Sequence, residues 1–207
     1  MGNAETTRRL SKGEEIVLAS HNAGKLREFS SLLAPSGVVV RSAAALNLPE
    51  PEEDADSFEG NALIKARAAA EATGFPALAD DSGFCVAALG DRPGVYSARW
   101  AGPDRDMKKA MARVERELAE TGSQDRSASF KVVLCLAWPD GAYRFVSGAC
   151  QGRVHFPARG THGHGYDPIF IPEGESRTFA EMTEAEKNRF SHRGQAAERF
   201  LKECVEP

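Results

Sequence analysis

Short apolar segments alternate with helical patterns along this chain, and this alternation limits the fold more than any other feature of the sequence. Strands are predicted at 16–19 and 38–41, and between them leucine and phenylalanine recur at helical spacing as far as Pro35. An alanine-rich helix is predicted over 57–73 and ends at Gly74. Strands and helices in alternation are typical of an α/β fold.

The second half of the chain continues this pattern. A charged helix is predicted over 104–120, and strands at 130–138 and 143–149 flank Pro139-Asp140-Gly141, which indicates a hairpin. No repeat or low-complexity linker interrupts the alternation, which favours a single unit. The last helix has an apolar stripe made of Ala196, Ala197, Phe200, Leu201 and Cys204.

Composition excludes several classes of protein. With 207 residues, 42% of them apolar, the chain is long enough to bury a core as one domain, which we place at 15–207 after a flexible, loose extension over 1–14. The formal net charge of −4 gives no field that attracts DNA, RNA or an anionic membrane. A small phosphorylated ligand therefore fits better than a nucleic acid.

The cysteines and the terminal sequence point to a cellular compartment. Four cysteines stand far apart without the spacing of a zinc site, and we interpret them as buried free thiols. No apolar run approaches the roughly twenty residues of a membrane span. The first 14 residues lack the apolar region of a signal peptide. Together these features predict a cytoplasmic protein.

Two adjacent carboxylates, Asp80 and Asp81, stand between apolar stretches and are followed by Ser82 and Gly83. Like charges at one point repel each other unless a cation or a proton occupies the site. The pair therefore indicates metal chemistry. The alternative is a solvated turn in which Gly83 supplies the bend.

A small-residue turn joins the first strand to the first helix. Backbone N–H groups and the positive end of the helix dipole in such a turn suit a phosphate, and Lys25 adds a positive charge that opposes the dipole unless an anion is bound. The P-loop pattern is absent, and the alternative is an ordinary strand, turn and helix. The predicted phosphate site comprises Ser20, His21, Asn22, Ala23, Gly24 and Lys25.

A further carboxylate, Glu59, lies in the first turn of the alanine-rich helix. The helix dipole alone is an adequate explanation for an acidic residue at this position. If the helix start lies close to Asp81, then Glu59, Asp80 and Asp81 offer the hard oxygen ligands that Mg²⁺ takes when it also binds phosphates.

A glycine-rich loop contains His164, Gly165, Tyr166 and Asp167. Glycines beside aromatic side chains allow a planar ligand such as a nucleobase to stack, and Asp167 can accept a hydrogen bond from a ring N–H. Zinc is the alternative for His162 and His164, but their spacing is a weak signal for it.

Positive side chains open the last helix. Ser191 is a natural N-cap, yet His192 and Arg193 follow it in the first turn, where the dipole disfavours positive charge. With Lys187 they indicate a ligand that is negative or carbonyl-like. The alternative is that Arg193 pairs with an acidic residue elsewhere in the chain.

Six motifs stand in order along the chain: SHNAGK with Glu28, FEGNA, ADDSG, PGVYSARWAG, GYDPIF and EKNRFSHRGQA. Their order resembles the inosine triphosphate pyrophosphatase family, also called Ham1, and most of all its bacterial XTP/dITP diphosphatase branch. The match runs from about Ile16 to Leu201. The resemblance implies an elongated α/β fold with two lobes, a long central mixed β-sheet flanked by helices, an active-site cleft between the lobes, and a homodimer.

The resemblance also implies an activity. Members hydrolyse ITP, dITP and XTP to the nucleoside monophosphate and pyrophosphate with Mg²⁺, which cleanses the nucleotide pool and keeps deaminated purines out of DNA and RNA. It implies that Asp81 accepts a proton and binds metal, with Glu59 as a further ligand and Asp80 as support, and that the turn at 20–25 binds the triphosphate. The implied contacts to the rest of the substrate are Ser82, His164, Gly165, Tyr166, Asp167, Lys187, His192 and Arg193.

Base chemistry agrees with this assignment. A 6-oxo purine offers an acceptor at O6 and a donor at N1–H, so Arg193 or Lys187 at O6 with Asp167 at N1–H favours hypoxanthine and xanthine over adenine. The chain departs from the family at His164, where phenylalanine usually stacks on the base. An imidazole is smaller and titrates near neutrality, which predicts weaker or pH-dependent base binding.

Two other functions fit part of the pattern. A Maf-like pyrophosphatase acting on pyrimidine nucleotides such as dTTP or UTP shares the architecture, although the SHR and GYDP segments fit the purine family better. A catalytically silent nucleotide-binding protein is the second, and it normally requires loss of the carboxylates that are retained here.

Overall fold

The protein is described by a computed structural model that covers residues 4–207, with the side chains of Ala23, Glu28 and Leu32 outside the described part. A six-stranded sheet forms its framework, in the spatial order β2-β1-β3-β4-β5-β6. The strands are β1 (Glu15–Leu18), β2 (Val39–Ser42), β3 (Ala77–Val86), β4 (Ser127–Ala137), β5 (Tyr143–Val154) and β6 (Phe170–Pro172). The helices are α1 (Ala23–Leu33), α2 (Phe58–Thr73), α3 (Met107–Thr121), α4 (Glu184–Asn188) and α5 (His192–Cys204).

Strand β1 pairs in parallel with β2 and with β3, whereas β5 pairs antiparallel with β6. Parallel neighbours need a crossover, and α1 and α2 supply those between β1, β2 and β3. The sheet is therefore mixed, and the predicted α/β fold with a mixed sheet and flanking helices is confirmed.

Local sequence signals fix the ends of several helices. Ser57 caps α2 by accepting a hydrogen bond from the Gly60 amide, and Gly74 ends the helix in the left-handed conformation at φ 72°. Thr183 and Glu186 form a capping box at the start of α4. The bounds of α2 agree with the predicted range of 57–73 to within one residue.

The chain divides into two compact units. The first comprises the residues up to Asp81, Val132–Ser147 and Gln195–Pro207, and the second comprises Ser82–Lys131 and Gly148–Gly194. The residues of β3, β4 and β5 are divided between the two units.

In the first unit, α2 packs through alanines. Ala62, Ala66, Ala69 and Ala70 are buried in one cluster with Val17 of β1. Small side chains at helical spacing allow the helix axis to approach the sheet closely. A second cluster in this unit contains Leu10, Phe29, Trp138 and Phe200 among others.

One residue of the segment before β1, for which the sequence predicts a loose extension, is packed into the core of the first unit. Leu10 is fully buried, its amide donates to Cys204 O at 2.7 Å, and its carbonyl accepts from the Glu206 amide at 2.9 Å. Arg8 lies over the Trp138 ring at 5.1 Å. An apolar side chain inserted in a core outweighs the polar composition of the residues around it.

The second unit has an aromatic core. Phe84, Phe130, Phe170 and Phe179 lie within 6 Å of one another in successive ring pairs, for example 5.0 Å between the centroids of Phe84 and Phe130. Helix α3 adds Ala110, Val114 and Leu118 to the same cluster.

Two further predictions have clear outcomes. Residues 80–83 lie inside the ten-residue strand β3, so the alternative of a solvated turn at Gly83 is wrong. Cys85, Cys135, Cys150 and Cys204 are all buried and free, as predicted. Within residues 4–207, no helix combines the length and the apolar character needed to cross a membrane.

Candidate active site

The turn between β1 and α1 is organised by Asn22. Its side-chain oxygen accepts hydrogen bonds from the Gly24 amide at 2.8 Å and the Lys25 amide at 3.2 Å. Two of the amides that the sequence predicts for a phosphate are therefore already bonded within the protein. Ser20 Oγ accepts from the Asn22 amide at 3.2 Å, and Ala23 is placed by its backbone as the first residue of α1.

His21 links this turn to the acidic loop at 49–56. Its Nε2 lies 2.8 Å from Leu48 O, and its Nδ1 lies 3.4 Å from Glu50 Oε1. The imidazole therefore has partners on the loop, and its position follows from them.

Lys25 has an anion of its own. Its Nζ lies 2.7 Å from Asp80 Oδ2, and Asp80 is only 2% exposed. The sequence predicts that a cation in the first turn of a helix requires an anion, and the described structure supplies Asp80 from β3. Asp80 is thus held by an ion pair with Lys25.

Asp81 faces a different set of groups. Asn61 Nδ2 donates to its Oδ2 at 3.2 Å, and Lys65 Nζ lies 3.7 Å from its Oδ1. Burial raises the pKa of Asp81 above the usual aspartate value, Lys65 and Asn61 oppose that rise, and the charges of Glu53 and Asp80 add to it. A carboxylate with a raised pKa is suited to accept a proton in catalysis.

The predicted trio of Glu59, Asp80 and Asp81 does not assemble as a ligand cluster. Among the described side chains of residues 4–207, which do not include that of Glu28, no group of three or more acidic, histidine or cysteine residues is arranged to hold a metal ion. Successive side chains of a strand point to opposite faces, so Asp80 and Asp81 diverge. Glu59 is exposed in the first turn of α2.

In the second unit, Asp167 shapes the glycine loop. Its buried carboxylate accepts a hydrogen bond from the His164 amide at 2.8 Å and forms an ion pair with Lys187. Gly163 has φ of 71°, and a Cβ there would collide with this carboxylate. The ion pair between Asp167 and Lys187 therefore connects the glycine loop to α4.

The two aromatic residues of this loop have different surroundings. His164 is exposed, whereas Tyr166 is 3% exposed and stacks on Phe84 with 4.8 Å between ring centroids. The Tyr166 hydroxyl donates to Ser97 O at 2.8 Å. The Tyr166 side chain is thus part of the core, because its ring fills the aromatic cluster.

The start of α5 carries the last predicted residues. Ser191 Oγ accepts from the Gly194 amide at 3.0 Å, which confirms the predicted cap. The buried ring of His192 stacks on Phe130 at 5.2 Å. Arg193 reaches Ser82 Oγ at 3.5 Å, so the second unit brings a residue of the DDSG motif together with one of the SHR motif.

Comparison with known proteins assigns the chain to a family. A sequence profile described as the Ham1 family matches residues 16–203. The chain belongs to the Ham1 family. Relatives with high similarity include the dITP/XTP pyrophosphatase of Gluconobacter oxydans, 66% identical over 96% of this chain and 95% of that protein. The dITP/XTP pyrophosphatase of Ruegeria pomeroyi is 52% identical over 93% of this chain and 96% of its own length.

Solved structures of Ham1 proteins share the fold. The HAM1 protein from Coxiella burnetii superposes with a TM-score of 0.88 at 42% identity and covers 91% of this chain and 97% of its own. A nucleoside-triphosphatase or dITP/XTP pyrophosphatase from Mycobacterium abscessus has a TM-score of 0.75 at 42% identity, with 90% and 98% covered. The family predicted from the six motifs is confirmed, and with it the predicted enzyme class, that of a pyrophosphatase.

Sequence reasoning missed three residues of this Ham1 chain that contact or influence Asp81, namely Asn61, Lys65 and Glu53. Lys65 Nζ lies 2.9 Å from Glu53 Oε1, and its side chain is 11% exposed. Asn61 and Lys65 are four residues apart on α2 and therefore share a face, which is a signal that the sequence does contain. Glu53 stands in an aperiodic acidic loop, where nothing distinguishes it from its acidic neighbours.

The donors near Asp81 fit a magnesium ion. Mg²⁺ keeps several waters and takes one or two carboxylates together with substrate phosphates, so a cluster of three protein ligands is not required. Asp81 and Glu53 are the two carboxylates that Lys65 joins. A buried carboxylate with a raised pKa also gains from a cation beside it.

Proposed function

We propose that this Ham1 chain is a Mg²⁺-dependent pyrophosphatase that hydrolyses dITP, XTP and ITP to the nucleoside monophosphate and pyrophosphate. The observation that carries the proposal is Asp81, a buried carboxylate with a raised pKa and a lysine 3.7 Å away. The names of the relatives, dITP/XTP pyrophosphatases, support the substrate class.

In the proposed reaction, Asp81 takes a proton from a water molecule as the water oxygen attacks the α phosphorus. The bond from that phosphorus to the bridging oxygen breaks, and pyrophosphate leaves with the electron pair. Lys65 and Lys25 offset negative charge on the phosphates, since both are cations of the first unit with side chains that are mostly buried.

Asp81 and Glu53 would hold the magnesium ion, and its chemistry would be to neutralise the phosphates and polarise the oxygens bound to it. Asp80 acts in support because it keeps Lys25 in place. The proposal replaces Glu59 by Glu53 as the second carboxylate, because Glu53 contacts Lys65 and influences the pKa of Asp81.

Base recognition is assigned to the second unit. Lys187 and Asp167 form an ion pair, so a cationic donor and a carboxylate acceptor lie side by side. A 6-oxo purine presents the complementary acceptor at O6 and donor at N1–H, whereas adenine presents the reverse. This pair therefore favours hypoxanthine and xanthine, with Ser82, His192 and Arg193 as further contacts and His164 as the stacking residue.

The biological role that follows is cleansing of the nucleotide pool, since hydrolysis to the monophosphate keeps deaminated purines out of DNA and RNA. We also propose a homodimer, on the family resemblance, which light scattering during size-exclusion chromatography tests directly. The match to the Ham1 family does not favour the Maf-like alternative.

A turnover panel tests the proposal. ITP, dITP, XTP, GTP, ATP and dTTP are assayed with and without Mg²⁺, and both monophosphate and pyrophosphate are measured. We expect the two products in equal amounts from the first three nucleotides and only with Mg²⁺. Preference for dTTP would favour the Maf-like alternative, and binding of ITP without turnover would favour a silent nucleotide-binding protein.

A further inference from the structure

One motif has no role in the reaction as proposed. The segment at 93–102, PGVYSARWAG, contains neither a predicted ligand nor a predicted catalytic group. Its central serine, Ser97, is nevertheless buried, at 8% exposure, and belongs to the same compact unit as Ser82 and Asp167. A buried hydroxyl needs hydrogen-bond partners. The hydrogen bonds of Ser97 connect it to the segments that carry Ser82 and Asp167.

The hydroxyl of Ser97 holds the strand that carries Ser82. Ser97 Oγ accepts a hydrogen bond from the Phe84 amide at 2.8 Å and donates to Gly94 O at 2.6 Å. A Cβ at position 83 would collide with Gly94 O and lie 2.8 Å from Ser97 Oγ. The backbone that follows Ser82 therefore lies directly against the turn around Ser97.

The carbonyl of Ser97 holds the loop that carries Asp167. The Tyr166 hydroxyl donates to Ser97 O at 2.8 Å, and the Tyr166 ring stacks on Phe84. Burial raises the pKa of the Tyr166 phenol, so it stays a donor at all physiological pH values. Tyr166 immediately precedes Asp167, whose carboxylate binds Lys187.

We propose that Ser97 is a positioning residue for base recognition. Through its hydroxyl it sets the place of Ser82, and through its carbonyl it sets the place of Tyr166 and hence of Asp167. The inference rests on the proposed function, since it assigns Ser97 to the part of the site that holds the purine base. Ser97 touches no reacting atom, and its effect passes through Phe84 and Tyr166.

The test compares ligands that carry the base with one that lacks it. Ser97→Ala removes the hydroxyl and leaves the buried Phe84 amide without its acceptor, and Tyr166→Phe removes only the phenol donor. The matched control is Ser129→Ala, since Ser129 is also buried, at 5% exposure, in the same unit. Inhibition constants are measured for IMP, which has the base, and for pyrophosphate, which does not.

We expect Ser97→Ala and Tyr166→Phe each to raise the inhibition constant for IMP about tenfold, the equivalent of one buried hydrogen bond. The inhibition constant for pyrophosphate should change by less than about twofold. The double variant should lose less than the product of the two single losses, because both changes act on one network. Ser129→Ala should leave the inhibition constants for both ligands unchanged.

The outcomes separate this inference from the proposed function. One outcome overturns the inference alone. In it, wild-type protein binds IMP, and Ser97→Ala and Tyr166→Phe bind IMP as tightly as Ser129→Ala does. Equal weakening of IMP and pyrophosphate also overturns it, because that is the result of a general loss of structure. Wild-type protein that does not hydrolyse ITP overturns the proposed function and the inference together.

Discussion

Asp80 and Asp81 are consecutive residues of β3, and each has its own cation. Asp80 Oδ2 lies 2.7 Å from Lys25 Nζ, whereas Asp81 Oδ1 lies 3.7 Å from Lys65 Nζ. The pleat of the strand sends the two carboxylates to opposite faces. The pair therefore separates into an ion pair with Lys25 and the carboxylate that we propose as the catalytic base.

Removal of Asp80 should destabilise the protein. Asp80→Asn leaves Lys25 without its buried anion, and we expect the free energy of unfolding to fall by about 2 to 4 kcal/mol, slightly below the range for a fully buried pair because the Lys25 side chain is 21% exposed. Urea denaturation at pH 7 measures this. Asp140→Asn is the control, since its pair with Arg8 is exposed and should contribute at most about 1 kcal/mol. Equal losses in the two variants would contradict the account.

The pH dependence of activity should follow Asp81. The base must be deprotonated, so kcat/KM falls as the pH falls through the pKa of Asp81, which burial raises above the usual aspartate value. Lys65 lowers this pKa. Lys65→Met should therefore move the acidic limb of the kcat/KM profile to higher pH, whereas Lys108→Met, at an exposed position of α3, should leave it in place. If the acidic limb of the kcat/KM profile moved to lower pH in Lys65→Met, the result would contradict the assignment of this limb to Asp81, whose pKa Lys65 lowers.

Magnesium dependence distinguishes Glu53 from Glu59. Glu53→Gln removes a carboxylate beside Lys65 and Asp81, so we expect the Mg²⁺ concentration for half-maximal activity to rise by roughly tenfold or more. Glu59→Gln removes the same negative charge from an exposed side chain, and it should alter the Mg²⁺ concentration for half-maximal activity by less than about twofold. The opposite ranking would restore Glu59 as the ligand.

The loop residue His164 should make base binding depend on pH. Histidine changes charge near neutral pH, and the side chain is exposed on the loop that Asp167 organises. His164→Phe should lower KM for ITP and flatten its dependence on pH between about 6 and 8.5, whereas the neighbouring change His162→Phe should do neither. An unchanged KM profile in His164→Phe would show that this side chain does not stack on the base.

Much of the fold was predictable because its signals are local. Ser57 and Gly74 bound α2 through hydrogen bonds and backbone angles that involve only neighbouring residues. The strand that contains Asp80 and Asp81 was less predictable, because pairing with other strands, rather than its own polar sequence, keeps it extended. Leu10 was missed for a similar reason, since its burial depends on the distant residues Cys204 and Glu206.

The candidate site was predictable in part. The motifs identify Asp81, Asp167 and Lys187, whose chemistry is evident from residue type. Glu53 has no periodic signal in its loop, and its role depends on a contact with Lys65 across the fold. Tyr166, directly after Gly165, looks like a stacking platform, but the aromatic residues that bury it come from other segments.

The most direct test of the central claim is release of pyrophosphate from ITP by wild-type and Asp81→Asn protein, with ITP binding measured calorimetrically for both. We predict that wild-type protein releases one pyrophosphate for each IMP, and that Asp81→Asn loses at least about a thousandfold in kcat while ITP still binds. Turnover by Asp81→Asn within about tenfold of the wild-type rate would contradict the assignment of Asp81 as the base.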